Sequence, residues 1–467
     1  MASGFLTTGN PLSGLAMSHP ILVATVGTMA VTYMFLASLL RLTQDAKEPP
    51  FWSMDFYLPW PLIFPPVTAH ASEFAMGGSK EALAIMRADM VTNAGFMHSM
   101  KRAIHPALSS GPALDDLTCD ALKAMSASLD GIGHQGGDDL GLFGWLRHHI
   151  LLATSDSVYG PSNPLRDAKN EAAWYTFHPA IMFLMLNLAP LWVFGKAIKA
   201  RGVMASAFHD YHTKGQFKQG SVYIRLWTEY FVSQGIPVDD IAKFHIGGFF
   251  SLIANTTPTA FWMIYRVFSD DSVVRQDYLS ETSLNLQEVF RFHGMANSVR
   301  VATEDCHLDD GRYLIKKGAL VMMPARVQHH LGNGVWGDDE SIHKFNLGRF
   351  VRKDSSEPAR PNPAAAFRGF GGGTSLCPGR HFATSQILVL TAMLLLRFDL
   401  IPVGGAGGHW VLPSTKDSSQ AEAMEQPDED IRVRFRSRKE VAGKTWQVSF
   451  EEDGGDETAL VAEDRLE

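Results

Sequence analysis

Eleven residues, Phe370 to Arg380, read FGGGTSLCPGR and deliver one cysteine just before a long apolar run that begins near Gly379. Gly371, Gly372 and Gly373 let the backbone turn sharply and lie close against something flat. At the start of a helix, Cys377 would meet amide donors that lower its pKa and favour the thiolate. A thiolate suits a soft metal centre. No second cysteine or histidine stands nearby at zinc-ligand spacing, so a four-ligand structural zinc site does not fit, and a single axial thiolate to haem iron fits better. The competing reading is a structural cysteine, since a free Cys is commonly a small buried hydrophobe.

Three further stretches carry chemistry. In QEVFR, Glu288 and Arg291 stand three apart and share a helix face, and FNLGRF carries Arg349. An arginine fork can hold a carboxylate bidentately while a second arginine shares it. In LIANTTP, Pro258 cannot donate to the carbonyl of Ala254 and its ring pushes that carbonyl away, so the helix should open there.

Phe370, Gly373, Cys377 and Gly379 match the FxxGxxxCxG haem loop of the cytochrome P450 family, and Pro378 and Arg380 extend the match. The other three stretches occur in the family's order, so the resemblance spans nearly the whole chain. It implies a mainly α fold with small β-sheets, a haem b with Cys377 as the iron ligand, and a Glu288, Arg291, Arg349 structural triad. Thr256 is then the hydroxyl over the distal haem face that handles dioxygen and its protons, with Asn255 beside it. His98, Lys101 and Arg102 resemble the family's propionate-binding helix. Electrons would come from an NADPH-cytochrome P450 reductase, since the chain shows no flavin or nicotinamide site of its own. Arg349, Arg352, Lys353, Arg360 and Arg368 make the approach to the cysteine side basic enough for an acidic reductase face.

The sequence departs from the family pattern in two places. Many members carry an acid where this chain has Asn255, which hydrogen-bonds but exchanges no proton cheaply. A basic residue two before the cysteine is replaced by Ser375. Asn-Thr-x-Pro followed by Phe261 and Trp262 resembles the branch of sterol 7-alpha-hydroxylases and prostacyclin synthase. That implies a bulky, apolar, sterol- or terpenoid-like substrate and a tailoring role in fungal-type secondary metabolism. Two other readings stay open: isomerisation or dehydration of a lipid peroxide without a reductase, and a non-catalytic haem binder. The second is kept open by stretches that look short for the family, about 48–95 and 272–286.

The elements that must position these residues are mostly helices. Helical periodicity runs through SKEALAIMRADM, ALDDLTCDALKAMSASL, AAWYTFHPAIMFLMLNL, the Val238–Phe268 stretch and RHFATSQILVLTAMLLLRF. Strand-like text gathers around Ser298–Met323 and IRVRFRSRK. Gly404, Gly405, Gly407 and Gly408 lack the strand and helix context of a dinucleotide site and read as a loop. With 467 residues, 46% of them hydrophobic, the chain can bury a large cofactor. Three cysteines, Cys119, Cys306 and Cys377, supply no disulfide framework and suit a reducing compartment. The net charge of -8 excludes a broadly basic nucleic-acid-binding surface.

Ile21 to Leu40 is an uncharged run of twenty residues, long enough at helical rise to cross a bilayer of about 30 Å. Lys and Arg are absent before it, while Arg41 and Lys47 follow it, which orients the body to the cytosol. A buried core helix is the competing reading of that run. The expected order is a lumenal segment 1–20, a single-pass anchor 21–40 in the endoplasmic reticulum, a proline-rich linker 41–70, a haem-thiolate body 71–450 and an acidic tail 451–467.

Overall fold

The computed structural model describes residues 71–89, 94–135, 139–186, 191–269, 282–302, 304–331, 335–337, 340–346, 349–350, 366–373, 376–404, 408–419, 422–441 and 444–448. The expected anchor, linker and acidic tail lie outside these, as do Ser375, Arg352, Lys353 and Arg360. Among the described residues no helix is long and apolar enough to cross a membrane.

Helices dominate. In chain order they are α1 Lys80–Arg87, α2 Phe96–Ile104, α3 Pro112–Gln135, α4 Leu142–Tyr159, α5 Ala168–Phe177, α6 Ile181–Leu186, α7 Gly195–Thr213, α8 Val222–Ser233, α9 Val238–Ile253, α10 Thr256–Ser269, α11 Thr282–His293, α12 Ala325–His329 and α13 Arg380–Arg397. The strands are β1 Asp139–Gly141, β2 Asn297–Val301, β3 Cys306–Leu308, β4 Tyr313–Ile315, β5 Leu320–Pro324, β6 Phe398–Pro402 and β7 Arg432–Ser437. Their positions agree with the sequence periodicity, with two interruptions. His178-Pro179 turns one expected helix into α5, a 3-10 turn and α6. The Val238–Phe268 stretch splits at Ala254–Asn255 into α9 and α10.

The second interruption has a direct cause. A proline in mid-helix costs about 3 kcal/mol. By starting a new helix at Thr256, the chain moves Pro258 into the first turn, where the backbone donors have no intrahelical partner in any case. The break also separates two hydrophobic cores. Helix α9 sends Ile241, Phe244, Ile246, Phe249 and Ile253 into a core shared mainly with α1, α2 and α5 to α8. Helix α10 sends Phe261, Trp262, Met263 and Ile264 into a second core with α11, α13, the facing halves of α3 and α4, and a small sheet.

That sheet has the order β1-β7-β6 and is antiparallel, with Leu140 opposite Val433 and Leu400 opposite Phe435. In β7, Val433 and Phe435 point into the core while Arg432, Arg434 and Arg436 face water, the alternation expected of a half-buried strand. By contacts the chain divides into two units, one of which has 299–322 as its described part. That part is a β arm whose β3 and β4 pair antiparallel around a tip in which Asp309, Asp310 and Gly311 have φ of 54°, 51° and 88°. Every site residue discussed below belongs to the other unit.

Candidate active site

The cysteine loop closes on itself before α13 begins. Gly371 N donates to Arg368 O at 3.2 Å, Leu376 N to Gly373 O at 2.9 Å, and Cys377 N to Phe370 O at 3.0 Å. Gly371 and Gly373 take φ of 82° and 57°, a region that L side chains rarely enter. Gly369 serves packing instead: a Cβ there would meet the Phe367 ring at 2.6 Å and Phe290 Cβ at 3.0 Å. The Phe370 ring lies 4.6 Å from that of Phe290 on α11, which pins the loop to the second core.

Cys377 is a half-buried free thiol. Burial pushes its pKa up, and the Gly379 N–H with the charges of Arg380 and Lys101 pulls the other way without overcoming it. The sequence expectation of a lowered pKa is therefore corrected. The helix-start amide acts in the expected sense, but desolvation of the sulfur is larger. A coordinated metal cation would reverse the balance. Arg380, itself buried, donates from Nη1 to Cys377 O at 3.4 Å.

Helix α2 divides the three expected propionate contacts. Lys101 is close enough for its charge to act on Cys377, His98 is half-buried, and Arg102 is exposed with Nη2 donating to Ser99 Oγ at 2.8 Å. The helix is held by Tyr230 Oη donating to Phe96 O at 2.8 Å. Sequence reasoning missed Tyr223, a buried phenol on α8 raised to about 12 by desolvation and by the nearby Cys377. No local pattern marks it.

Glu288, Arg291 and Arg349 come together behind the loop. Arg291 donates from Nε and Nη2 to the two carboxylate oxygens of Glu288 at 2.7 and 2.8 Å, and both side chains are fully buried. Asn346 N and Arg349 Nε add donors to Glu288 Oε1 at 2.9 and 3.2 Å. Arg291 Nη1 also reaches His329 O and Ile342 O, and Arg349 reaches the carbonyls of Trp336, Ser341 and Lys344. This grip removes Arg349 from the expected basic docking surface: its guanidinium is buried, 6% exposed, and saturated by Glu288 and carbonyls. His329, also missed, lies beneath the loop. Its ring stacks on Phe367, and its Nε2 accepts from Arg368 N at 3.0 Å.

At the helix break, Thr256 Oγ1 donates to Leu252 O at 2.9 Å, so its hydroxyl caps the end of α9. Thr259 N and Oγ1 both donate to Asn255 O, at 3.1 and 2.6 Å. Asn255 Oδ1 accepts from Ala423 N at 2.6 Å, a contact 168 residues away along the chain. The segment 422–425 is stapled there by Met295 N to Ala423 O, Glu425 N to His293 O and Trp262 Nε1 to Glu425 O, at 2.8, 3.0 and 2.8 Å. His293 stacks on Trp262 with ring centroids 3.9 Å apart.

These residues fit a haem. Beyond Gly373 and Gly379, a Cβ would meet nothing within 4 Å, which leaves room for a flat group against the loop. Cations from Lys101 and Arg380 gather at the same thiol. Among the described residues no three His, Cys, Asp or Glu side chains converge to hold a metal. Together the loop and its buried lock define a haem-thiolate class of protein.

Comparison with known proteins agrees. The sequence pattern of the family described as Cytochrome P450 matches residues 275–408. The cytochrome P450 monooxygenase nodJ of Hypoxylon pulicicidum is 30% identical over 417 residues, covering 82% of this chain and 78% of that protein. A cytochrome P450 monooxygenase of Gibberella zeae is 27% identical, covering 72% and 70%. The cholesterol 7-alpha-monooxygenase of Cricetulus griseus is 24% identical, covering 53% and 55%. Among solved structures, the retinoic acid bound cyanobacterial CYP120A1 superposes with a TM-score of 0.58 at 17% identity, covering 85% of this chain and 86% of that one. The chain belongs to the cytochrome P450 family. It is a monooxygenase with the family's fold, and membership brings haem with an axial cysteine thiolate, dioxygen and a lipophilic substrate.

Proposed function

We propose that this chain is a membrane-anchored tailoring monooxygenase that puts one oxygen atom into a carbon–hydrogen bond of a bulky sterol- or terpenoid-like lipid, with electrons from NADPH through a separate reductase. The observation that carries the reading is the half-buried thiol of Cys377, presented by a glycine-hinged loop and backed by a fully buried Glu288–Arg291 pair. When bound, haem supplies the activation of dioxygen that no side chain provides.

The chain's own residues do the rest. Cys377 ligates the iron; Phe370, Gly373, Gly379 and Arg380 shape the loop; and Lys101, with His98 and Arg102 on the same helix, answers the propionate charge. Thr256 Oγ1 holds a proton that now points at Leu252 O and can turn toward the distal face. Asn255 keeps the break open through its bond to Ala423. The substrate class is supported by the likeness to a cholesterol 7-alpha-monooxygenase. The anchor at 21–40, the cytosol-facing body 71–450 and the endoplasmic reticulum location rest on the sequence. Exposed Phe183, Leu191, Trp192 and Val193 add apolar surface compatible with a membrane nearby.

The commitment of Asn255 Oδ1 to Ala423 favours one second reading, rearrangement of a lipid peroxide, which needs no delivered protons. One experiment separates the two: the purified haem protein is given a fungal reductase, NADPH and a terpenoid panel, and separately a lipid hydroperoxide alone. Product that depends on both NADPH and reductase supports the monooxygenation proposed here. Turnover of the hydroperoxide without them replaces it with the second reading.

A further inference from the structure

One buried side chain joins the Glu288–Arg291 lock to the cysteine loop, and the chemistry above makes no use of it. His329 ends α12 and is fully buried. On the lock side its main-chain carbonyl accepts from Arg291 Nη1 at 3.0 Å, and on the loop side its ring Nε2 accepts from Arg368 N at 3.0 Å. From Arg368 the path to the thiol is short. Gly371 N donates to Arg368 O at 3.2 Å, and Cys377 N donates to Phe370 O at 3.0 Å. The imidazole is held in place by stacking on Phe367 at 5.7 Å and 19°, and by Trp336, which meets it edge-on at 5.9 Å.

This arrangement dictates the protonation state of the ring. A nitrogen that receives an N–H must present its lone pair, so the single proton of neutral His329 sits on Nδ1. Burial, with the charge of Arg291 nearby, lowers the ring's pKa to about 3 and keeps it neutral. Nδ1 is a buried atom without a hydrogen-bond partner. An apolar residue would avoid that cost, and a buried polar group in this condition calls for an explanation. The explanation lies at the other nitrogen: without an acceptor there, the Arg368 N–H at the foot of the loop would itself lose its partner. We propose that His329 is the positioning residue that seats the cysteine loop on the lock, by offering Nε2 as a fixed acceptor to Arg368 N. The lock then acts on Cys377 through a directed hydrogen bond, and not through packing alone. This inference rests on Cys377 as the haem ligand.

The test uses the haem-loaded protein and reads two quantities. One is the rate at which the long-wavelength carbon monoxide band is lost in mild urea. The other is deuterium exchange at the Arg368 amide, set beside that of Leu286–Phe290 in α11, which reports the surrounding core. In wild type the Arg368 amide should exchange at least about tenfold more slowly than an unpaired amide. His329→Leu fills the space but offers no acceptor; it should speed loss of the band and exposure of the Arg368 amide by about tenfold or more, the size of one buried hydrogen bond, while Leu286–Phe290 changes by less than about threefold. His329→Gln carries an amide oxygen able to take the place of Nε2 and should stay within about threefold of wild type in both readings. A Gln variant that behaves like the Leu variant overturns the proposal, because ring packing and not the acceptor would then matter. So does a Leu variant that keeps the band and the Arg368 protection, or one that loosens α11 as much as the loop. If the Leu variant does not fold, the other two proteins decide: an unprotected Arg368 amide in wild type, or loss of the band in the Gln variant, overturns the proposal, and protection in both supports it. Absence of the long-wavelength band from wild type would instead refute Cys377 as the ligand, and the proposal with it.

Discussion

Replacing Glu288 with Gln tests whether the buried lock holds the cysteine loop. The substitution keeps side-chain volume and one acceptor oxygen. It removes the charge that answers Arg291 and Arg349, and it sets an amide N–H against Arg291 Nε, which now donates to Glu288 Oε2 at 2.7 Å. Arg291 stays fully buried, and Nη1 remains bonded to the carbonyls of His329 and Ile342 at 3.0 and 3.1 Å. Breaking a buried pair from one side costs ~3–5 kcal/mol, and the surviving carbonyl bonds put the expected loss near the lower end, ~3 kcal/mol. Stability of a folded domain is only about 5–15 kcal/mol, so this is a large share of it. Arg291→Met should cost more than E288Q, because it orphans those carbonyls as well as the carboxylate. Lys344→Ala is the control, since the Lys344–Glu340 pair is exposed and such pairs are worth less than ~1 kcal/mol. The assay is urea unfolding of the haem-free protein by tryptophan fluorescence, with haem content measured on the same preparations. An E288Q protein that unfolds within about 0.5 kcal/mol of wild type and keeps full haem would refute the reasoning.

Acid should destabilise the fold through its buried histidines. Burial lowers His293 to about 4 and His329 to about 3 from an ordinary 6.5. Between those values the unfolded chain holds protons that the folded chain lacks, so stability falls as pH drops below 6.5 and each group's loss ends below its folded value. Each histidine contributes about 1.4 kcal/mol per pH unit. Urea midpoints at pH 7, 6 and 5 should show this slope, and His329→Gln should reduce it by about one proton; an unchanged slope would count against the burial argument. Thr256→Ala should leave stability within about 1 kcal/mol, because it removes one cap bond to Leu252 O, while product formed per dioxygen consumed falls several-fold. Parallel measurement of oxygen uptake, peroxide and product checks this, and intact coupling would assign proton delivery to another group.

Much of the site was legible because its signals are local. The glycine spacing before Cys377, the proline that forces the break at Ala254–Asn255 and the helix spacing of Glu288 and Arg291 each act within a turn or a loop. What could not be read depends on contacts between distant parts of the chain. Asn255 was legible as a hydrogen-bonding residue beside Thr256, but not that its oxygen accepts from Ala423 N, 168 residues away along the chain. Arg349 was expected both in the triad with Glu288 and in the basic approach to the cysteine side, and only the fold shows that the first role, with the carbonyls of Ser341 and Lys344, excludes the second. Lys101 and Arg102 are neighbours of like charge, and only the docking of α2 decides that Lys101 faces Cys377. The pairing of β1 with β7 joins Leu140 to Val433, which no periodicity reveals. The thiol pKa was misjudged for the same reason, since a helix start is visible in sequence and burial of the sulfur is not.

The most direct test is the carbon monoxide difference spectrum of the dithionite-reduced protein, with haem quantified, for wild type and for Cys377→Ala, Cys119→Ala and Cys306→Ala. Cys119 is half-buried and Cys306 exposed, so each is a fair control for a free thiol elsewhere. A long-wavelength Soret band in wild type, Cys119→Ala and Cys306→Ala, lost only in Cys377→Ala, is the predicted result. Retention of the band in Cys377→Ala, or its loss in either control, would contradict the assignment of Cys377 as the thiolate ligand.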